Sequence, residues 1–158
     1  MKTLDYLNLN EARVANVVTA LQNLLADFQI YYTNLRGFHW EIKGRGFFVL
    51  HEKFESMYDD AAAKVDEIAE RILMLGGTPE NKFSNYLKTA RIHEVSGVST
   101  SHEAVENILS TYKHFIAEER KLIELEILQL LLIRQRAEKK QICSLLKPVT
   151  FFVYKTAC

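Results

Sequence analysis

The chain has 158 residues, of which 48% are hydrophobic and 25% are charged, so one domain with a core of ordinary size is expected. Twenty basic and twenty acidic residues give a formal net charge of zero, which argues against binding to nucleic acids or membranes through overall charge. The sequence has no apolar run of membrane-spanning length and no signal-peptide core at its start. Its two cysteines, Cys143 and Cys158, both lie near the C-terminus and make no disulfide framework. We therefore expect a cytoplasmic, mostly helical domain.

Hydrophobic periodicity predicts two long helices in the first half of the chain. Apolar residues recur at spacings of three and four from Val14 to Leu35, after a capping box formed by Asn8 and Glu11. Gly37 weakens the end of this first helix. Residues 43–46 are typical of a turn, and a second apolar stripe covers residues 50–75 until the sequence Gly-Gly-Thr-Pro stops it.

The second half of the chain predicts further helices. A short connecting helix is expected over residues 81–90, followed by a loop over 94–99. A second capping box, Thr100 with Glu103, opens a third long helix whose apolar stripe runs from Val105 through Leu109 to Ile123. Residues 125–146 permit a fourth helix that Pro148 ends. The pattern indicates an all-α four-helix bundle over 10–147, with a short N-terminal extension over 1–9 and an atypical tail over 148–158.

The second helix carries a polar stripe that is suited to metal binding. With His51 at zero on a helical wheel, Glu55 falls at about 40°, Asp66 at about 60° and Glu70 at about 100°. His51 with Glu55, and Asp66 with Glu70, are each four residues apart, so each pair can reach one metal ion. The alternative is an ordinary solvated face, since residues 46–70 contain seven acidic and two basic side chains.

The two pairs cannot converge within one helix, because Glu55 and Asp66 are separated by about 16 Å along its axis. They are symmetric about a midpoint between residues 60 and 61. Two copies of the helix packed antiparallel across a two-fold axis would therefore bring each pair against the other pair of the partner. His39 and Trp40, placed beyond the first helix, suggest either a further ligand with an oxidisable neighbour or a core histidine with a packing tryptophan.

The chain resembles the Dps mini-ferritins, the family of DNA-binding proteins from starved cells. The order His-Trp, a twelve-residue step to His, then Asp-x-x-x-Glu carries the resemblance, which covers residues from about 10 to 124. The segments involved are 34–40, 46–51, 58–60 and 66–72.

The resemblance implies a four-helix bundle with a short helix between the second and third helices, assembled as a hollow dodecamer. It implies a two-iron ferroxidase site at each two-fold interface, which oxidises Fe(II) with hydrogen peroxide more than with dioxygen and stores ferric mineral. Trp40 would lie close enough to intercept a stray radical. The implied iron ligands are His39, His51 and Glu55 of one subunit with Asp66 and Glu70 of its partner.

Two departures from the family pattern stand out. The family has Asp where this chain has Glu55, which keeps the charge and adds one methylene. From about Glu126 the resemblance ends, and no equivalents of the acidic residues that line the family's three-fold pores are found there. This change is consistent with either a shifted reading frame or true divergence.

The competing hypothesis is a non-catalytic helical shell or DNA-packing protein. Family members that bind DNA often use a Lys-rich N-terminal extension, but here that extension contains only Lys2, offset by Asp5. The basic stretch over residues 127–158 offers a second route to phosphates. Such a stretch is more often a solvated chain end, so DNA binding is not favoured.

Overall fold

The structure, a computed structural model, describes residues 11–123 of the chain and consists there of four helices without a strand. Three are long and one is short. Helix α1 spans Glu11–Glu41, α2 spans Phe47–Met74, α3 spans Phe83–Thr89 and α4 spans Ser101–Leu122. The predicted fourth bundle helix, the tail over 148–158, both cysteines and the N-terminal extension lie outside the described residues. No described helix has the length and apolar character of a membrane span.

Helix α1 is longer than the sequence predicts, because it continues through Gly37 to Glu41. The expectation that Gly37 weakens its end, with His39 and Trp40 beyond the helix, is wrong. A glycine inside a helix costs only about 1 kcal/mol relative to alanine. Burial of Phe38 and Ile42, which are 2% and 1% exposed, holds this last turn against the core and outweighs that cost.

Helices α1 and α2 form a hairpin through the turn predicted at 43–46, so they run antiparallel. The second helix directs Phe54, Ala61, Ile68 and Ile72 into the core, as its apolar period predicts. Helix α4 closes the other side of α1, where the rings of Phe28 and Phe115 stack with their centroids 4.2 Å apart.

The linker between α3 and α4 is tied to α1 and to α4 by a buried carboxylate. Asp27 of α1 is fully buried and accepts hydrogen bonds from the Arg91 backbone at 2.6 Å and from the Arg91 guanidinium at 2.7 Å. His114 Nε2 of α4 lies 2.8 Å from the same carboxylate. Arg91 also pairs with Glu118, so one arginine of the linker connects α1 to α4.

Helix α4 begins where the capping box predicts, since the Thr100 hydroxyl accepts a hydrogen bond from the Glu103 amide at 3.3 Å. Its apolar stripe is only partly internal. Ala104, Ile108, Phe115 and Leu122 are buried. Val105 and Leu109 are 41% and 61% exposed, so their placement on the core-facing stripe is wrong. Each comes one position after a buried residue, Ala104 or Ile108, and therefore lies about 100° away from it around the helix.

Two glycines of this fold should respond in opposite ways to alanine. A Cβ at Gly77 would lie 2.9 Å from both Ile72 Cγ2 and Val18 Cγ1, so Gly77→Ala should lower the free energy of unfolding by about 1–3 kcal/mol. A Cβ at Gly37 would meet only the Val95 carbonyl, at 4.0 Å, among the described atoms, so Gly37→Ala should raise it by about 0.5–1 kcal/mol. Urea unfolding at one protein concentration measures both, and equal effects would contradict the packing at Gly77.

Candidate metal centre

Two histidines meet where the turn joins α1 to α2. His39 occupies the last turn of α1 and is 8% exposed, whereas His51 lies in the second turn of α2 and is half-buried. Their rings stack with centroids 3.7 Å apart and planes inclined by 20°. This brings together two of the residues that the sequence predicted as ligands.

Each histidine ring is held by the backbone of the other histidine. His39 Nδ1 lies 2.8 Å from the His51 carbonyl oxygen, and His51 Nδ1 lies 2.8 Å from the His39 carbonyl oxygen. A carbonyl only accepts hydrogen bonds, so in the neutral rings both Nδ1 atoms carry the proton and donate it. Both Nε2 atoms then keep a free lone pair, which is the form of imidazole that binds a metal ion.

The end of α1 explains why its His39 carbonyl takes a histidine partner. The last four carbonyls of a helix have no partner within the helix. The chain leaves α1 at once, because the Lys43 amide donates to the Ser99 carbonyl at 3.0 Å instead of turning back to α1. The imidazole of His51 therefore caps α1 at this carbonyl.

Two aromatic residues complete the packing around the imidazoles. The Phe47 ring stacks on His51 at 4.9 Å, and the Tyr58 ring meets His39 edge-on at 5.4 Å. Burial, together with the nearby Glu55 and Asp59 carboxylates, raises the pKa of Tyr58 above its usual value. Tyr58 belongs to the predicted apolar stripe of α2 and lies two helical turns after His51, so it is on the same side of the helix.

Trp40 lies at the surface beside this cluster. It is 67% exposed, and the Arg36 guanidinium stacks over its ring at 5.0 Å and over the Tyr32 ring at 5.2 Å. The alternative of a core histidine with a packing tryptophan fits only the histidine. His39 is buried, but Trp40 is not a core residue. The arginine was not singled out from the sequence, because a single Arg in a helix has no pattern that predicts cation–π stacking.

The three predicted carboxylates all lie on the exposed side of α2. Glu55, Asp66 and Glu70 are solvent-exposed, one turn, about four turns and about five turns after His51. Over residues 11–123 no group of three or more His, Cys, Asp or Glu side chains of one chain comes together around a point where a metal ion would fit. The structure thus brings His39 and His51 together, places Glu55 beside Tyr58, and leaves Asp66 and Glu70 farther along the helix.

Comparison with known proteins gives one consistent result. A family model for a ferritin-like domain matches residues 18–126, and its match ends where the family resemblance was seen to end. The "DNA protection during starvation protein" of Porphyromonas gingivalis is 52% identical over 123 residues, which cover 78% of this chain and 77% of that protein. "General stress protein 20U" of Bacillus subtilis is 36% identical over 105 residues, covering 66% and 72% of the two chains.

Solved structures agree with these relatives. The Dps protein from Vibrio cholerae O1 superposes with a TM-score of 0.75 at 31% sequence identity, covering 92% of this chain and 94% of that one. That protein is described as a member of a broad superfamily of ferritin-like diiron-carboxylate proteins. Together with the observed helices, this match confirms the predicted all-α, ferritin-like four-helix-bundle fold class.

The reciprocal hydrogen bonds predict one tautomer for both histidines. In metal-free protein at neutral to alkaline pH, His39 and His51 should each carry their proton on Nδ1, because each Nδ1 faces a carbonyl oxygen. Solid-state nitrogen NMR of sedimented, histidine-labelled protein measures this, with His39→Ala and His51→Ala for assignment. His102, whose side chain is 92% exposed, serves as the control and should show both tautomers. Protonated Nε2 atoms in His39 and His51 would contradict the arrangement.

Proposed function

The chain belongs to the Dps family of ferritin-like proteins, and on that premise we propose that it is an iron-oxidising and iron-storing mini-ferritin. In this proposal it is a cytoplasmic ferroxidase that protects against oxidative stress. Its subunits form a hollow homo-oligomer, a dodecamer as the family resemblance implies. The observation that carries the proposal is the pair of locked imidazoles, which hold two Nε2 lone pairs next to an exposed carboxylate face.

The proposed ligands come from two subunits. His39, His51 and Glu55 of one subunit, with Asp66 and Glu70 of its two-fold partner, form one two-iron site. One chain cannot supply all five, because Glu55 and Asp66 are about 16 Å apart along a straight helix. Antiparallel pairing of α2 about its midpoint brings the two halves together and creates two equivalent sites.

The donor chemistry suits ferrous iron as the substrate. Imidazole nitrogen and carboxylate oxygen bind Fe(II) well, whereas thiolates would favour softer metals. An imidazole binds a metal ion in its neutral form, through a ring nitrogen lone pair, so the two histidines add no charge to the site when they act as ligands. The carboxylates supply negative charge at the exposed side, where Fe(II) arrives from solvent and where its two charges need anionic partners.

The proposed reaction removes one electron from each of two Fe(II) ions. Hydrogen peroxide accepts both electrons, its O–O bond breaks, and two protons are taken up as two water molecules form. The ferric ions then hydrolyse and enter a mineral inside the shell. Because both irons are oxidised in one event, release of a hydroxyl radical is suppressed, and Trp40 stands at the surface beside the site to intercept one that escapes.

A series of substitutions at Glu55 tests the ligand assignment. Glu55→Asp should retain or improve Fe(II) oxidation, because Asp is the residue that the family pattern expects. Glu55→Gln and Glu55→Ala should slow it by at least about tenfold, since even residues that only support a metal ligand contribute factors of 10–100. Stopped-flow oxidation with limiting Fe(II) and hydrogen peroxide, on assemblies of matched mass, gives the rates.

Glu106→Gln is the matched control, because Glu106 is an exposed carboxylate of α4 away from α2. It should oxidise iron at the wild-type rate. A wild-type rate in Glu55→Ala would remove Glu55 from the ligands. If wild-type protein of full assembly mass oxidised Fe(II) no faster than buffer, the non-catalytic shell hypothesis would replace the proposal, with a salt-sensitive gel shift as the test for DNA packing.

Mixed assemblies test whether each site spans two subunits. His51→Ala and Asp66→Ala should each be inactive alone, but random reassembly of equal amounts should restore about one quarter of the wild-type sites. Half of the pairs are mixed, and each mixed pair regains one of its two sites. Mixing His51→Ala with His39→Ala is the control and should restore nothing, because both changes damage the same half-site. Equal activity in the two mixtures would contradict the shared site.

A further inference from the structure

Two exposed apolar side chains flank the carboxylate face of α2. Phe48 is 83% exposed and lies three residues before His51, and Leu73 is 59% exposed and lies three residues after Glu70. On the wheel that places His51 at zero, Phe48 falls at about 60° and Leu73 at about 40°. Both therefore lie within the arc of the wheel that holds the proposed ligands. Along the helix, Phe48 precedes the first of these ligands and Leu73 follows the last.

The two apolar residues obey the same symmetry as the ligands. Phe48 and Leu73 are equally distant from the midpoint between residues 60 and 61, as are His51 with Glu70 and Glu55 with Asp66. Near the midpoint the exposed Ala62 stands at the position opposite Asp59, so a small side chain leaves room where the two helices would approach. When this face meets a second, antiparallel copy, its apolar ends therefore oppose each other and the small Ala62 opposes Asp59.

We propose that Phe48 of one subunit packs on Leu73 of the partner subunit at both ends of this face, forming two apolar caps that hold the pair together and cover each metal site. The proposal rests on the two-fold site proposed above. A second copy is the occupant because an antiparallel copy sets Phe48 against Leu73 at both ends in the same register that completes both proposed metal sites.

The caps have a physical task that the ligands cannot perform. Before Fe(II) binds, Glu55 of each subunit faces Asp66 of the partner subunit across the axis, and these like charges oppose association. Burial of apolar surface at both ends acts in the other direction and does not depend on metal. Each cap also lies about one helical turn from the outermost ligand of a site, where it excludes water from that ligand.

Cross-linking tests the register of the caps directly. In full-length protein with Cys143 and Cys158 changed to Ser, the double variant Phe48→Cys/Leu73→Cys is treated with a bismaleimide whose spacer is about 8 Å, the spacing of packed helices. We expect a covalent dimer on a denaturing gel. Each single variant should stay monomeric, because a residue and its own copy would be about 37 Å apart in this register. Dimers from the single variants, or none from the double variant, would overturn the proposal.

Polar substitution tests the contribution of the caps to association. Phe48→Ser and Leu73→Ser should each weaken metal-free association of the two-fold pair by at least tenfold, measured by sedimentation over a dilution series. Leu109→Ser is the control, since Leu109 is comparably exposed but lies on α4, and it should leave association unchanged. Unchanged association in both cap variants would overturn the proposal.

The cross-linked dimer also separates this proposal from the proposed function. Dimer formation without Fe(II) oxidation by the wild-type protein leaves the caps in place and refutes the ferroxidase. Oxidation by the wild-type protein without cross-linking of the double variant refutes the caps and leaves the ferroxidase in place.

Discussion

The reciprocal grip of His39 and His51 is the constraint on which the candidate site depends. Each ring donates to the other residue's carbonyl at 2.8 Å, so neither ring can turn without breaking a bond that joins α1 to α2. The same two bonds select the tautomer, cap the end of α1 and aim both Nε2 atoms away from the backbone. Phe47 and Tyr58 pack around the rings.

Charge is distributed over the site according to what burial permits. The imidazoles of His39 and His51 occupy the more buried part, and the exposed side of α2 carries Glu55, Asp66 and Glu70. Burying an unpaired carboxylate costs free energy. In a single chain these three carboxylates therefore remain exposed to solvent. Asp27 shows the opposite case, because a carboxylate can be fully buried when Arg91 and His114 surround it.

Much of this architecture could be predicted from the sequence, and the exceptions have physical reasons. The period of apolar residues located α2, α4 and most of α1, and the spacing of His51, Glu55, Asp66 and Glu70 indicated their common face. The end of α1 was placed too early, because local propensity at Gly37 carries no information about the burial of Phe38 and Ile42. The buried Asp27 cluster was missed since its members are separated by 64 and 87 residues and share no local pattern.

These sequence separations also set an order for folding. The contact of His39 with His51 spans twelve residues and closes with the α1–α2 hairpin, so its loop-closure entropy is small. The Asp27 cluster must close loops several times longer before its hydrogen bonds form. The paired imidazoles of the candidate metal centre are therefore expected to form early, while the linker and α4 are still free, so that a nascent chain holds both rings in place before the rest of its bundle is complete.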